Sequence, residues 1–381
     1  MASESRIAIV GAGLGGAALG ALLQQAGYDV RLYEQTKVMG RLGAGIHLGP
    51  NLMRVLDKIG IQDILMANSV EPEAWVSKDG FTGDPLYSFP LKGHSQETYG
   101  APYLTAHRGD LQEYLVSKLA PGSIEFGKKL ESLEESPKNV KLTFEDGSEA
   151  IADIVVGADG VYSRVRECMF GVDPPLYTGV IGHRALFPTS LIGDVDVQDY
   201  TRWWRPDRNL IVYFLNNDRK QIYVVTGAPQ KEWNHPTSWA PCTKDEFREC
   251  FAGFTTDVMR IVDATPPEVL SKWAFFDREP LPTWHKGRVV ILGDACHPMK
   301  PHMGQGAAMA VEDAAMLQRC LDEVGIDHYS KAFSLYEANR HKRATRVQMT
   351  SRSIAWLRDG KDPFWLYGYD VFSEPLVMPP I

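Results

Sequence analysis

Three stretches place glycines and carboxylates where an anionic ligand could be handled. The first is Gly11-Ala12-Gly13-Leu14-Gly15-Gly16, with Glu34 closing the next apolar run. A G-x-G-x-x-G turn after a strand, with an acid about 20 residues on, is the pattern of a dinucleotide-binding βαβ unit. Gly11 permits the tight turn, Gly13 lets a pyrophosphate approach the backbone, and Gly16 lets helix and strand pack closely. Glu34 would accept hydrogen bonds from ribose hydroxyls. The second stretch is Gly157-Ala158-Asp159-Gly160, a strand end with an acid. The third runs from Gly293-Asp294 to Gly304-Gln305-Gly306-Ala307. There a helix start offers backbone N–H groups and the positive end of its dipole to an anion. Asp294 suits a sugar hydroxyl; a tight turn with a capping Asp is the plain alternative. Two histidines sit nearby in loops, His47 in the glycine-rich stretch 41–51 and His302 after Asp294. Imidazole titrates near neutral pH and can move protons, although lone histidines are more often surface or structural. His297 reads as structural, because a Cys296–His297 pair lacks further metal ligands.

The elements around these residues alternate in a consistent way. Arg6–Val10 predicts a buried strand, a helix follows to Ala26, and residues 30–34 form the next strand. An amphipathic helix is expected over Leu52–Lys58 and another over Leu111–Leu119, with Asp110 near its start. Strand-like pieces lie at 123–126, 140–144 and 149–156, and a helix begins at Ser163-Arg164. From Pro174 to about Pro282 the texture changes to aromatic and β-branched runs with repeated turns, including Trp203-Trp204 and residues 210–214. This predicts a mostly antiparallel sheet with one helix around 244–254. Two interleaved units result: a nucleotide-binding α/β unit from 1–70, 98–173 and 286–381, and a sheet unit from 71–97 and 174–285. The helical tail after Tyr329 is expected to pack on the first.

At 381 residues the chain is long enough for two intimately packed domains. A formal charge of −8 argues against a general nucleic-acid binder, so an anionic substrate needs local cations to hold it. Five scattered cysteines without metal or C-x-x-C spacing read as reduced thiols, and nothing resembles a signal peptide or membrane span. A cytoplasmic enzyme, monomer or homodimer, acting on a small molecule and touching neither nucleic acid nor membrane, is the expectation.

The order of the three motifs, with Arg108 between the first two, resembles the single-component FAD-dependent aromatic hydroxylases over nearly the whole chain. That resemblance implies an α/β fold: a Rossmann-like FAD-binding domain, an inserted, mostly antiparallel β-sheet substrate domain and a C-terminal helical segment. It implies that Gly15 and its neighbours bind the diphosphate of FAD, and that Glu34 and Gln35 hold the adenosine ribose. Leu130 would lie near the adenine, Arg108 would contact the flavin side, and Asp294 would bind the ribityl chain. Gly306 and Ala307 would offer N–H groups to the isoalloxazine, and Asp159 would brace the pyrophosphate region. No second fingerprint exists for a nicotinamide nucleotide. NAD(P)H, with NADH preferred, is therefore implied as a transient co-substrate beside O2.

Residues 43–51, 294–303 and 365–370 resemble the branch of this family that hydroxylates 6-hydroxynicotinate with loss of CO2. By that likeness His47, Tyr213 and His302 line the substrate pocket, and Asn209 stands where the branch carries a histidine. An amide cannot titrate as imidazole can, so decarboxylating hydroxylation of 4-hydroxybenzoate or salicylate is the alternative. The roles expected are a base or proton relay at the ring hydroxyl for His47, ring orientation for Tyr213, and contact with the carboxylate for His302. A halogenase would show a Gly-Trp-x-Trp-x-Ile-Pro segment, which is absent. A nucleotide-sensing protein without turnover, or a plain NAD dehydrogenase, would leave the later motifs idle.

Overall fold

Ile7, Ala8 and Ile9 have no accessible surface, as a strand covered on both faces requires. In the computed structural model, which describes residues 3–40, 45–353 and 362–379, they lie on the central strand Ser3–Val10. It pairs in parallel with Val30–Glu34 on one side and Glu149–Gly157 on the other. Val289–Ile291 and Ile124–Phe126 extend the parallel sheet at either side. Leu130–Glu135 and Val140–Phe144 form a hairpin added antiparallel to Glu149–Gly157. The strands that carry the three motifs are therefore neighbours, and their carboxyl ends open on the same edge, where ligands of open α/β sheets bind. Residues 41–44, which open the glycine-rich stretch before His47, lie outside the described residues.

The second sheet has eight strands. Its order is Trp239–Pro241, Ser271–Asp277, Leu176–Pro188, Gln221–Pro229, Asn209–Phe214, Tyr200–Trp204, Ala74–Asp79 and Pro85–Pro90. All neighbours are antiparallel except Tyr200–Trp204 with Ala74–Asp79. Alternation along these strands gives the sheet two uses. Trp203, Leu210, Val212, Ile222 and Val224 pack into a core with Phe247, Phe251, Val258 and Ile261. Their sequence neighbours Arg202, Asn209, Ile211, Tyr213, Tyr223 and Val225 face the other way, into a cavity.

Several boundaries differ from the sequence reading. The single helix expected around 244–254 is two, Lys244–Cys250 and Thr256–Ala264. Gly253 at φ +81° breaks the run, and Thr255 caps a new start by accepting from the Val258 N–H. The helix expected from Leu111 begins at Arg108, because the His107 side chain accepts from the Gly109 N–H. The helix after Gly304 runs over Gly306–Val324 before Gly325 stops it at φ +81°. The helix Tyr329–Thr350 packs along it. Among the described residues no helix is long and apolar enough to cross a membrane.

Candidate active site

A cavity of about 400 Å³ lies between the two sheets. At one end it meets Gly13 and Gly15, where the helix Leu14–Gln25 begins. It passes Arg108, Asp294, Gly306 and Ala307, and ends among His47, Tyr213, Asn209 and His302. Ten of the residues singled out from sequence are thus brought to one space.

The glycines divide by role. A Cβ on Gly13 would meet nothing within 4 Å, whereas one on Gly11 would lie 2.5 Å from the Ala158 carbonyl oxygen and one on Gly16 2.0 Å from that of Gly11. Gly11 also stands at φ +100°. Gly11 and Gly16 therefore shape the turn, while Gly13 leaves open space before the first N–H groups of the helix. The N-terminus of Gly306–Val324 faces the same cavity. Two helix starts and open backbone at Gly13 and Gly160 fit an extended anionic cofactor. Asp294 is accessible within the cavity yet enclosed by protein, and this enclosure raises its pKa against the pull of His297 and Arg108.

Besides Gly11 and Gly16, four predicted cofactor residues stand away from the cavity wall. Glu34 is buried and accepts from the Ala12 N–H at 2.8 Å and the Thr36 N–H at 2.9 Å. Gln35 is exposed and Leu130 is buried at the start of its strand. Asp159 is turned to the helix Arg164–Phe170, accepting from the Ser163 hydroxyl at 2.5 Å and the Val165 N–H at 3.0 Å. Burial raises its pKa against those bonds.

The far end is aromatic and cationic. The His47 ring lies 4.5 Å from that of Tyr213 and 5.0 Å from that of Tyr200. The Tyr213 ring sits where a Gly45 side chain would be, since a Cβ there would fall 2.5 Å from its Oη. Burial, aided by Arg202, lowers the His47 pKa to about 3, and its Nδ1 has no partner. Burial lowers that of His302 to about 4. Its Nδ1 lies 3.0 Å from the Ser351 carbonyl oxygen. That oxygen only accepts, so Nδ1 carries the proton and the unpartnered Nε2 presents a lone pair. Both rings are neutral at physiological pH. His302 thus has no N–H left for a carboxylate, which is at odds with the contact expected of it.

Cations are what the sequence reading missed. Arg184, Arg202 and Lys300 join Arg108 on the cavity wall, where Asp294 is the one acid among the described residues. Among the described residues none of the four is within ion-pair distance of a carboxylate. Arg202 donates to the Tyr200 hydroxyl at 2.8 Å and stacks on Trp204, and Arg184 stacks on Trp273. The signal was available: each arginine sits at the cavity-facing step of an alternating strand. A chain of net charge −8 therefore carries a positive pocket.

A second missed feature lies behind Asp294. Glu312 and Asp313, both fully buried, are held by Arg340 at 2.6 and 2.7 Å, with Arg343 also on Glu312. His297 lies 2.5 Å from Asp313 Oδ2, which also accepts from the Gly293 N–H at 3.0 Å. Helix, tail and the Gly293-Asp294 turn are tied together there, and His297 is structural.

Comparison with known proteins agrees with this geometry. The profile of the FAD binding domain family matches residues 4–351. The chain is 49% identical to the 6-hydroxynicotinate 3-monooxygenase of Bordetella bronchiseptica, over 99% of this chain and 98% of that one. It is 48% identical to the enzyme of the same name from Pseudomonas fluorescens, over 100% and 99%. Among solved structures, HpxO of Klebsiella pneumoniae complexed with FAD and uric acid superposes with a TM-score of 0.82 at 26% identity, covering 94% of this chain and 90% of that one. The chain belongs to the FAD binding domain family and, within it, to the FAD-dependent monooxygenases of aromatic rings.

Proposed function

We propose that this enzyme converts 6-hydroxynicotinate to 2,5-dihydroxypyridine and CO2, with NADH as the preferred reductant. The shared name of the two relatives places oxygen on ring carbon 3. In nicotinate that carbon bears the carboxylate, and the hydroxyl at carbon 6 lies across the ring. Oxygen added there restores the aromatic ring only if the carboxylate leaves as CO2. The observation that carries the reading is the substrate end itself. Ile211 and Val225 form an apolar floor, two neutral histidines stand beside it, and Arg184 and Arg202 flank it with no counter-ion among the described residues.

Bound FAD, reduced by NAD(P)H, supplies O2 in an electrophilic form. In this reading Gly13, Gly15 and the helix behind them hold its diphosphate, with Gly11 and Gly16 shaping the turn. Arg108 and Asp294 hold the middle of the cofactor, and Gly306 and Ala307 present N–H groups to its ring. Glu34, Gln35 and Leu130 serve the adenosine end. Asp159 acts indirectly, by fixing the turn that leaves Gly160 open. His47, Tyr213, Asn209 and His302 contact the substrate, and the aromatic wall excludes water from the reacting carbon.

We also retain two units divided at 71–97 and 174–285, since those segments supply the strands of the second sheet. A cytoplasmic monomer or homodimer remains our reading, supported by five free cysteines. The test is NADH oxidation by the purified protein with 6-hydroxynicotinate and 4-hydroxybenzoate side by side, trapping CO2. Stimulation and CO2 with the pyridine acid are expected. Turnover of the benzenoid acid alone would move the assignment to that class, and NADH oxidation without CO2 from either would sink the reading.

A further inference from the structure

Strand register arranges the floor of the substrate end in rows about 7 Å apart, two residues of strand rise each. Asn209 pairs with Gly227 in the first row. Arg202, Ile211, Val225 and Arg184 follow in the second, and Tyr200, Tyr213 and Tyr223 in the third. The two ends of this floor offer opposite hydrogen-bonding chemistry.

In the first row the Asn209 Oδ1 accepts from the Gly227 N–H at 3.1 Å. That bond fixes which end of the amide is which, and leaves the NH2 group to donate. His302 offers the reverse, because its Nδ1–H is spent on Ser351 and its buried Nε2 has no partner. A Cβ on Gly227 would lie 3.8 Å from Asn209 Nδ2 and 3.8 Å from His302 Nε2, so the glycine leaves a notch that both atoms border. One donor and one acceptor stand side by side there. At the opposite end Arg202 reaches Tyr200, whose ring is 5.8 Å from Tyr213, and His47 closes against both. Arg184 and Arg202 both act on Tyr213 and Arg202 on His47, while Lys300 stands nearer His302.

Taking the proposed reaction as given, we propose that Asn209 and His302 form a lactam-reading subsite. Asn209 donates to the ring carbonyl and His302 accepts from the adjacent ring N–H, while the carboxylate points the other way, to Arg202 beside His47 and Tyr213. Hydroxypyridines with the hydroxyl next to nitrogen stand in water chiefly as pyridones, so 6-hydroxynicotinate presents an N–H and a C=O on one edge. A phenol presents C–H and O–H there, and His302 would face a carbon. Burial keeps His302 neutral and able to accept. Its pull on the ring N–H also moves electron density through the N1–C2=C3 unit to carbon 3, where oxygen must add. The asparagine in place of histidine thus fits the pyridine ring, since an amide held by Gly227 can only donate.

The test is the dissociation constant of the FAD-loaded enzyme for three ligands, read from the shift of the flavin spectrum. These are 6-hydroxynicotinate, its N-methylated pyridone, and 4-hydroxybenzoate. The native protein should favour the first over the other two by about 10- to 100-fold. His302→Phe, which keeps a ring and removes the acceptor, should collapse that preference to within about threefold, and His302→Gln should restore much of it through its amide oxygen. Asn209→Asp should weaken the pyridone about 10- to 100-fold by setting an acceptor against the carbonyl. Flavin content reports folding of each variant. Turnover of 6-hydroxynicotinate with a preference unmoved by His302→Phe and Asn209→Asp would overturn the subsite and leave the reaction standing. Tighter binding and turnover of 4-hydroxybenzoate by the native protein would overturn both.

Discussion

Two groups of buried charge lie on either side of Asp294, and they are finished to different degrees. Behind it, the Glu312 and Asp313 carboxylates are saturated by Arg340, Arg343 and His297 Nε2, and the His297 Nδ1 is the one atom of that group left without a partner among the described residues. In front of it, Arg184, Arg202, His47 and His302 keep unpartnered nitrogen atoms in the cavity. Burying a charge or polar group without a partner is costly, so a cluster of such groups around one cavity marks a place that a ligand completes. The contrast separates scaffold from site more sharply than burial does, because both groups are largely enclosed. It also says how the two should respond to the same kind of substitution.

The largest difference is expected from arginine removal in the scaffold. Arg340→Met removes the arginine that holds both carboxylates, leaving Asp313 to His297 and the Gly293 N–H and Glu312 to Arg343 and Asn51. Breaking one side of a buried pair costs about 3–5 kcal/mol. Because Asp313 also accepts from the Gly293 N–H, flavin retention should fall with stability. Urea denaturation followed by tryptophan fluorescence measures the first and flavin absorbance the second. A midpoint unchanged from the native protein would erase the distinction.

The same change in the site should do the reverse. Arg202→Met removes a charge that has no counter-ion, so the ligand-free protein should be as stable as before or slightly more so. The KM for the aromatic acid should rise about 10- to 100-fold, the loss of one charge-assisted hydrogen bond to a carboxylate. Steady-state kinetics beside the same urea titration would show it. A destabilised variant with normal KM would return Arg202 to the scaffold.

What could be read beforehand follows the same division. Glycine turns and strand-end acids are local patterns, so the Gly11–Gly16 turn and the strand end at Gly293-Asp294 were legible, and the structure places both at the carboxyl edge of the parallel sheet. The saturated network was not. Glu312 and Asp313 sit in a helix whose sequence looks like any with a solvated acidic pair, and their partner Arg340 is 27 residues beyond Asp313. Pairing across two helices leaves no spacing signal. Arg184 and Arg202 were legible in principle, since strand period sends them to the face of Tyr213. They were not singled out because nothing in one sequence says which face of that sheet is covered.

A smaller effect comes from crowding the substrate end without touching charge. Gly45→Ala would set a Cβ 2.5 Å from the Tyr213 hydroxyl, and the fully buried ring has nowhere to turn. Overpacking of this kind costs about 1–3 kcal/mol. Placed here it should appear mainly as a lower kcat, with flavin content preserved, because the cofactor edge lies in the other sheet. Loss of flavin with unchanged turnover per bound flavin would mean that the two regions are mechanically one.

The smallest effect, and the finest probe of the comparison, is acid lability of the ligand-free protein. His47, His302 and His183 have folded pKa values lowered by burial to about 3, 4 and 4. An unfolded histidine titrates near 6.5. Between these limits the unfolded chain binds protons that the folded chain refuses, so stability falls as pH drops from about 6.5 and levels off once the folded values are passed. Each such group contributes at most about 1.4 kcal/mol per pH unit. The saturated carboxylates titrate lower, with Asp313 held at about 2 by His297 and Arg340 despite its burial. Between about pH 6.5 and 5 the slope therefore reports the buried histidines, with His183 as a background that no cavity substitution moves, and His302→Gln should shallow it in urea titrations at those two pH values. A saturating aromatic acid should shallow it in the native protein as well, by giving His47 an anion that favours its charged form. If the variant and the liganded protein both keep the native slope, the two histidines are not the open acceptors that the cavity presents.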